Sequence, residues 1–184
     1  MQRFFAAAAL TLTLTAAALR AQEPPQFPKP QKEHEWLNQF IGEWEMESEC
    51  TPVPSQPPVK GKMQEKVRSQ GGFWIISDGK AEMMGMKMEV VLTIGYSPEK
   101  KKYIGTWTDS MMPHMWLYEG TVDSTGKILT LEAEGPSMLN PGTTAKYRDV
   151  TEFKSKDERL FTSFIQNEKG EWVKMMSGVA KRKK

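Results

Sequence analysis

From residue 43 to the end of the chain, apolar and polar residues alternate with a period of two, and Gly, Pro, Asn and Asp interrupt the alternation at short intervals. That period sends successive side chains to opposite faces of an extended strand. The clearest segment is Glu43–Cys50: Glu43, Glu45, Glu47 and Glu49 point one way, and Trp44, Met46, Ser48 and Cys50 point the other. Beyond a Pro-rich turn at 52–58, Lys60, Lys62, Gln64, Lys66, Arg68 and Gln70 share one face, with Val59, Met63 and Val67 opposite. One strand thus has an acidic outer face and the next a basic one. Opposite charges facing each other across a strand pair contribute roughly 0.2–1 kcal/mol each, so an antiparallel hairpin with a solvated charged face is expected.

Further strands are predicted at about 73–81, 86–96, 102–109, 115–122, 128–134, 144–155, 159–167 and 172–182. Gly71-Gly72, Ser97-Pro98-Glu99-Lys100, Asp123-Ser124-Thr125-Gly126, Pro141-Gly142 and Asn167-Glu168-Lys169-Gly170 are the turn signals between them. About ten strands on short connections, with no crossover helix, make an all-β up-and-down meander. Closing it removes the exposed edges, so an antiparallel β-barrel is expected, with a two-sheet sandwich as the alternative. Before the strands, Trp36, Leu37, Phe40 and Ile41 fall on one face of a short amphipathic helix over 33–41, which Gly42 ends.

The first residues follow another pattern. Met1-Gln2-Arg3 is a short basic start, and 4–19 is apolar except for three threonines. Such a run is shorter than the roughly 20 residues a membrane-spanning helix needs. It reads as a signal peptide over 1–21, with export to a periplasm or the outside. A Pro-rich tether over 22–32, with Pro24, Pro25, Pro28 and Pro30, and a single barrel domain over 33–184 complete the expected organisation.

Composition changes this picture in one respect. The formal charge of +2 comes from Arg3 and Arg20; residues 22–184 hold 23 basic and 23 acidic side chains. A neutral chain gives no ground for a nucleic-acid partner, and no membrane span is expected once the leader is removed. The basic tail Lys181–Lys184 reads as solvated charge. A single Cys excludes an internal disulfide framework, and two His exclude a His-rich metal site.

The chemical motifs are few. There is no G-x-G-x-x-G, no phosphate loop and no G-x-S-x-G, and His34-Glu35 fails the zinc motif because Asn38 stands where the second His is required. Cys50 has no activating neighbour in sequence and reads as a small hydrophobe. The 13 methionines are the compositional oddity. Met84, Met86 and Met88 share a parity with Val90, Leu92, Ile94 and Tyr96, which makes them a core or cavity wall. A second cluster, Met111-Met112-Pro113-His114-Met115, combines thioethers with an imidazole, a set that suits Cu(I) in an exported protein. Tyr103, Trp107 and Asp109 also share a parity, so Asp109 would stand at the rim of the interior, with His114 on the loop that follows. That pair has the chemistry of a general acid and base; Asp109-Ser110 equally suits a turn.

Ile41-Gly42-Glu43-Trp44, opening the first strand after a short helix, resembles the G-x-W signature of calycins, the lipocalin and fatty-acid-binding superfamily. The resemblance implies that Trp44 packs across one end of a barrel against a late basic residue, Lys181 or Arg182. A longer ordered series extends from His34-x-x-Leu37 through Gly71-Gly72-Phe73-Trp74, Gly95-Tyr96-Ser97-Pro98, Tyr103-x-Gly105-x-Trp107-x-Asp109-Ser110, Glu119-Gly120-x-x-Asp123 and Leu129-Thr130-Leu131-x-x-Glu134-Gly135-Pro136. It resembles DUF1579, a bacterial family of unknown function near the calycins; Ser97 stands where Asp is common in that family. The resemblance implies a barrel and brings no activity, cofactor or catalytic residue.

An exported barrel that binds a small apolar or amphipathic ligand is therefore expected. Its candidate lining is Trp44, Met46, Met63, Trp74, Met84, Met86, Met88, Trp107, Asp109, His114 and Trp116. No catalytic residue, metal ligand or cofactor is assigned. The alternatives are a barrel enzyme using Asp109 and His114, and a copper or haem carrier using methionine and His114.

Overall fold

The computed structural model describes residues 26–51 and 57–184; the expected signal peptide over 1–21, the start of the expected tether and most of the expected 52–58 turn lie outside them. One helical segment precedes the strands: α1 (Lys32–Trp36) runs directly into a 3-10 turn (Leu37–Phe40). The strands are β1 (Gly42–Cys50), β2 (Val59–Gln70), β3 (Trp74–Met83), β4 (Met86–Ser97), β5 (Lys102–Asp109), β6 (Met112–Val122), β7 (Ile128–Pro136), β8 (Thr144–Ser155), β9 (Glu158–Gln166) and β10 (Trp172–Arg182). Each pairs antiparallel with its sequence neighbours, and β1 pairs with β10, so the sheet closes into an up-and-down barrel.

The expected charged hairpin forms, and its register pairs acid with base. Glu43 faces Lys66, Glu45 faces Gln64, Glu47 faces Lys62 and Glu49 faces Lys60. The same register sets Met46 opposite Met63 on the inner face, and it sets Trp44 opposite Glu65. A carboxylate is thereby carried into the barrel.

One end of the barrel is sealed. Leu37 and Phe40 of the helical segment pack with Trp44, Val67, Ile75, Ile94, Tyr103, Leu129, Phe153 and Ala180, all buried. The helix is tied down by polar links as well: the Trp36 indole donates to the Gly126 carbonyl at 2.7 Å and the Tyr103 hydroxyl donates to the Glu33 carbonyl at 3.1 Å. His34 is buried, its Nδ1 accepts from the Gln31 N–H at 3.0 Å, and its ring meets Phe73 and Tyr96 edge-on. The anticipated basic partner of Trp44 is Arg182, whose guanidinium sits 4.2 Å from the ring centroid, and Arg159 lies 4.7 Å from it.

Three expectations about placement need correction. Trp74 lies on the outer face, because Ile75 takes the inward position; the indole covers the bare backbone of Gly95. Met84 is not on a strand: it stands in the β3–β4 turn at φ 55°, followed by Gly85 at φ 73°, and is exposed. A two-residue turn with both φ positive is how tight hairpins match the twist of their strands. His114 lies within β6 and not on a loop, because β6 begins at Met112 right after a tight turn.

Two glycines let strands approach closely. A Cβ on Gly120 would run into the Thr130 carbonyl oxygen, and one on Gly105 into that of Thr93. The β6–β7 ladder is short, registered only from Glu119↔Glu132 to Val122↔Leu129. Gly120→Ala must push these strands apart, and overpacking of this kind costs about 1–3 kcal/mol. The expected result is a lower urea midpoint with an unchanged slope; an unchanged midpoint would show that the seam yields freely.

Candidate functional site

Reading along the strands from the sealed end gives a buried zone, a half-buried one and, toward the far end of β6–β10, a second buried cluster of Trp116, Ala133, Tyr147, Ile165 and Met175. Next to the plug, the inward residues are fully buried. Beyond them, Met46, Met63, Leu92, Trp107, Asp149, Thr151, Phe161 and Ser163 face inward by register yet are only half-buried. Nearer the open end follow Cys50, Met83, Met88, Asp109, Met112, His114 and Met176. Within the half-buried zone, strands β1–β5 contribute Met46, Met63, Leu92 and Trp107, whereas β8 and β9 contribute Asp149, Thr151 and Ser163 together with the ring of Phe161; Tyr118 of β6, beside them, is buried.

The methionines lie along the wall. A Cβ added to Gly79 would collide with the Met63 methyl and Val90, one on Gly61 would meet the Met83 methyl, and one on Gly178 would touch Met46. Each methionine rests over an inward glycine of a neighbouring strand. Thioether chains bend easily, and the glycines give them room to lie flat, which keeps them from projecting toward the barrel axis.

The interior holds one buried ion pair. Arg159 donates to Glu65, both side chains are less than a tenth exposed, and Ser77 donates to the other Glu65 oxygen at 2.6 Å. Burial above all, with the nearby Arg182 charge, lowers the Arg159 pKa to about 9, which leaves the guanidinium charged at neutral pH, as does its contact with Glu65. Farther along the barrel the Tyr118 hydroxyl donates to Asp149 Oδ2 at 2.5 Å, and Ser163 also hydrogen-bonds this carboxyl. Burial raises the Asp149 pKa, against the lowering effect of these two bonds, and burial likewise raises that of Tyr118.

Asp109 and His114 are not joined by a hydrogen bond. Asp109 Oδ1 accepts from the N–H groups of Met111 (2.8 Å) and Met112 (3.2 Å), and Oδ2 accepts from the Trp107 indole at 3.3 Å, so this carboxylate shapes the turn. His114 stacks edge-on against Trp116 at 4.8 Å, and Trp116 does so against Tyr147 at 4.7 Å. The His114 and Trp116 rings cover Gly135 of β7, and His114 Nε2 is buried without a hydrogen-bond partner among the described residues.

The remaining candidates disperse. Trp44 belongs to the sealed end, where its indole donates to the Phe40 carbonyl at 2.7 Å. Trp116 is buried in the aromatic row, Met88 is half-buried, and Met86 is exposed at the open end. Met111 and Met115 are exposed as well. Burial raises the Cys50 pKa, which disfavours the thiolate a nucleophile needs. No group of three His, Cys, Asp or Glu suited to a metal ion occurs among the described residues. A groove of about 630 Å³ at β9, β10, β1 and β2 is lined by residues of both faces, among them Glu47, Lys62 and Val179 of the outer face and Ser48, Phe161 and Gly178 of the inner one. Sequence reasoning missed Glu65, Arg159, Tyr118 and Asp149. Their only signal is parity: each occupies an inward position, where a polar residue breaks the alternation.

A closed ten-stranded antiparallel barrel with a helical plug at one end is a calycin-like architecture. The family model described as a protein of unknown function (DUF1579) matches residues 29–182, and the chain belongs to that family. Among solved structures, it is similar to the S-type phycobiliprotein lyase CPES from Guillardia theta, at 12% identity over 87% of this chain and 99% of that one, with a TM-score of 0.54. It is also similar to Rv2717c from M. tuberculosis, at 11% identity over 85% and 100% of the two chains, with a TM-score of 0.60. Both likenesses concern the fold. No curated protein matches the sequence, and among the described residues no helix is long and apolar enough to cross a membrane.

The raised pKa of Asp149 has a consequence for stability. A carboxyl whose pKa is higher folded than unfolded binds its proton more tightly in the native state, so stability falls as pH rises from the unfolded value through the folded one. Asp149→Asn removes that loss. Urea unfolding from pH 3 to pH 8 is expected to show the variant gaining on the parent protein as pH increases; a constant difference would contradict this.

Proposed function

We propose that this protein is an exported barrel that binds one small amphipathic ligand within its interior. The observation that carries this reading is the half-buried stretch of the interior. An inward residue that remains half-buried in a closed barrel borders space that is not tightly filled, and here such residues form an apolar wall on β1–β5 and, on β8 and β9, a wall that carries Asp149, Thr151 and Ser163 beside Phe161. Methionines lying over glycines make the apolar wall deformable, which suits a cavity that adapts to its occupant. Barrels of this strand number have room for one small ligand. Export is supported by the basic start and apolar run of residues 1–21.

Catalysis by Asp109 and His114 has no geometric support, since Asp109 already accepts from the turn and from Trp107. Binding is the better-supported class.

The neutral dye N-phenyl-1-naphthylamine, which fluoresces in apolar surroundings, tests the proposal. Saturable binding at one dye per chain is expected. Gly79→Ala should push Met63 from its place on the wall toward the axis and weaken binding by about tenfold, equivalent to ~1.4 kcal/mol. Absence of saturable binding, or a dye that does not respond to filling the wall, would sink the proposal.

A further inference from the structure

We infer that the interior selects ligands bearing a cationic or N–H-donating nitrogen, which Asp149 receives. The inference rests on the binding role proposed above and adds the chemistry of the ligand's polar group.

The reasoning begins with the charges that face inward. Glu65 and Arg159 neutralise each other in direct contact, and Ser77 satisfies a further acceptor site on Glu65. At the rim, Asp109 is satisfied by two backbone N–H groups and the Trp107 indole. Asp149 differs from both. It forms no ion pair among the described residues, it accepts no bond from a backbone N–H other than those of the strand ladder, and its partners are two hydroxyls, those of Tyr118 and Ser163. An ionised carboxylate offers about four acceptor sites, so two hydroxyl donors leave acceptor capacity over.

Burying a carboxylate without a counter-charge is costly, and proteins avoid it by pairing or neutralising the group. The hydroxyls fix Asp149 in place without supplying charge. Ser163 approaches from the adjacent β9 and Tyr118 from β6, beyond β7, and together they orient the carboxyl within the half-buried zone. Its strand stands across the closed barrel from β3, at the middle of the β1–β5 wall, a placement that suits a molecule with an apolar body and a nitrogen head. A donor nitrogen on the ligand would complete the set with a charge-assisted hydrogen bond. An anionic head would meet an uncompensated like charge there, because Arg159 is already committed to Glu65.

Three ligands with the same alkyl chain separate head from body: dodecylamine, dodecanol and dodecanoate, each displacing N-phenyl-1-naphthylamine from the full protein at pH 7. The expected order is amine first, with dodecanoate requiring at least about tenfold higher concentration. Asp149→Asn, which preserves the shape and the Tyr118 contact, should erase the preference among the three head groups, each displacement being referred to the variant's own dye affinity because the dye itself carries an N–H. Asp109→Asn, at the inward carboxylate of the rim, should leave it intact. The inference is overturned if dodecanoate competes as well as the amine, if Asp149→Asn retains the preference, or if Asp109→Asn removes it. Dye binding with no head-group preference defeats this inference alone; no dye binding defeats the ligand-binding role along with it.

Discussion

The indole of Trp44 joins three parts of the chain that are remote in sequence. Its N–H holds the Phe40 carbonyl of the helical plug, its ring lies beside Arg159 of β9, and Arg182 of β10 packs over it. Arg182 in turn donates to the carbonyls of Ile41, Gln39 and Lys156, so one guanidinium binds the plug, the start of β1 and the β8–β9 turn. An aromatic face attracts a cation most strongly where water is excluded, and Trp44 is almost completely buried. Closure of the sheet and sealing of the barrel's end are therefore a single packing event. The interior can remain loosely filled at mid-barrel because its floor is held elsewhere.

That division of labour explains the unequal interior. Close packing with a satisfied ion pair surrounds the plug, and a second buried cluster of Trp116, Ala133, Tyr147, Ile165 and Met175 lies toward the other end on β6–β10; methionine, glycine and short hydroxyl side chains are concentrated between and beside them. A core of branched aliphatics filling that region would add stability by burial, but would leave no volume and little compliance. The methionine surplus resolves into two populations: those lying on the inner wall, and those at or near the open end, where Met84, Met86, Met111 and Met115 are exposed.

How much of this was legible in the sequence varies with the kind of signal. Glu43–Glu49 against Lys60–Lys66 was readable as an antiparallel hairpin because charge and period two agree, and the two charged faces do meet on one side of the sheet. Strand limits followed where Gly, Pro or Asp marked the turns. Apolar character alone does not place Trp74 or Met84: a bare Gly95 backbone offers an indole as good a surface outside, and Met84 shares with Gly85 the positive-φ turn between β3 and β4. Glu65 and Arg159, separated by 94 positions, form a pair that no local pattern contains. Asp149 was unreadable for a different reason: in a strand with polar residues on both faces, a single acid does not announce which face it takes.

Closure between β1 and β10 also dictates a temporal order for folding. The first strand finds one of its two neighbours early, in β2, but its other edge must wait for nearly the whole chain, since Trp44 pairs with Arg182. Contacts of such separation form late and slow the folding of β-rich chains. During that interval β1 presents an unpaired edge, the kind of surface on which neighbouring molecules aggregate. The alternating glutamates of Glu43–Glu49 then act on the unfinished molecule: two copies of that strand brought side by side would oppose acid to acid, whereas its own β2 offers lysine. A charge pattern that contributes little to the finished barrel thus discourages the wrong partner while the right one is still being made.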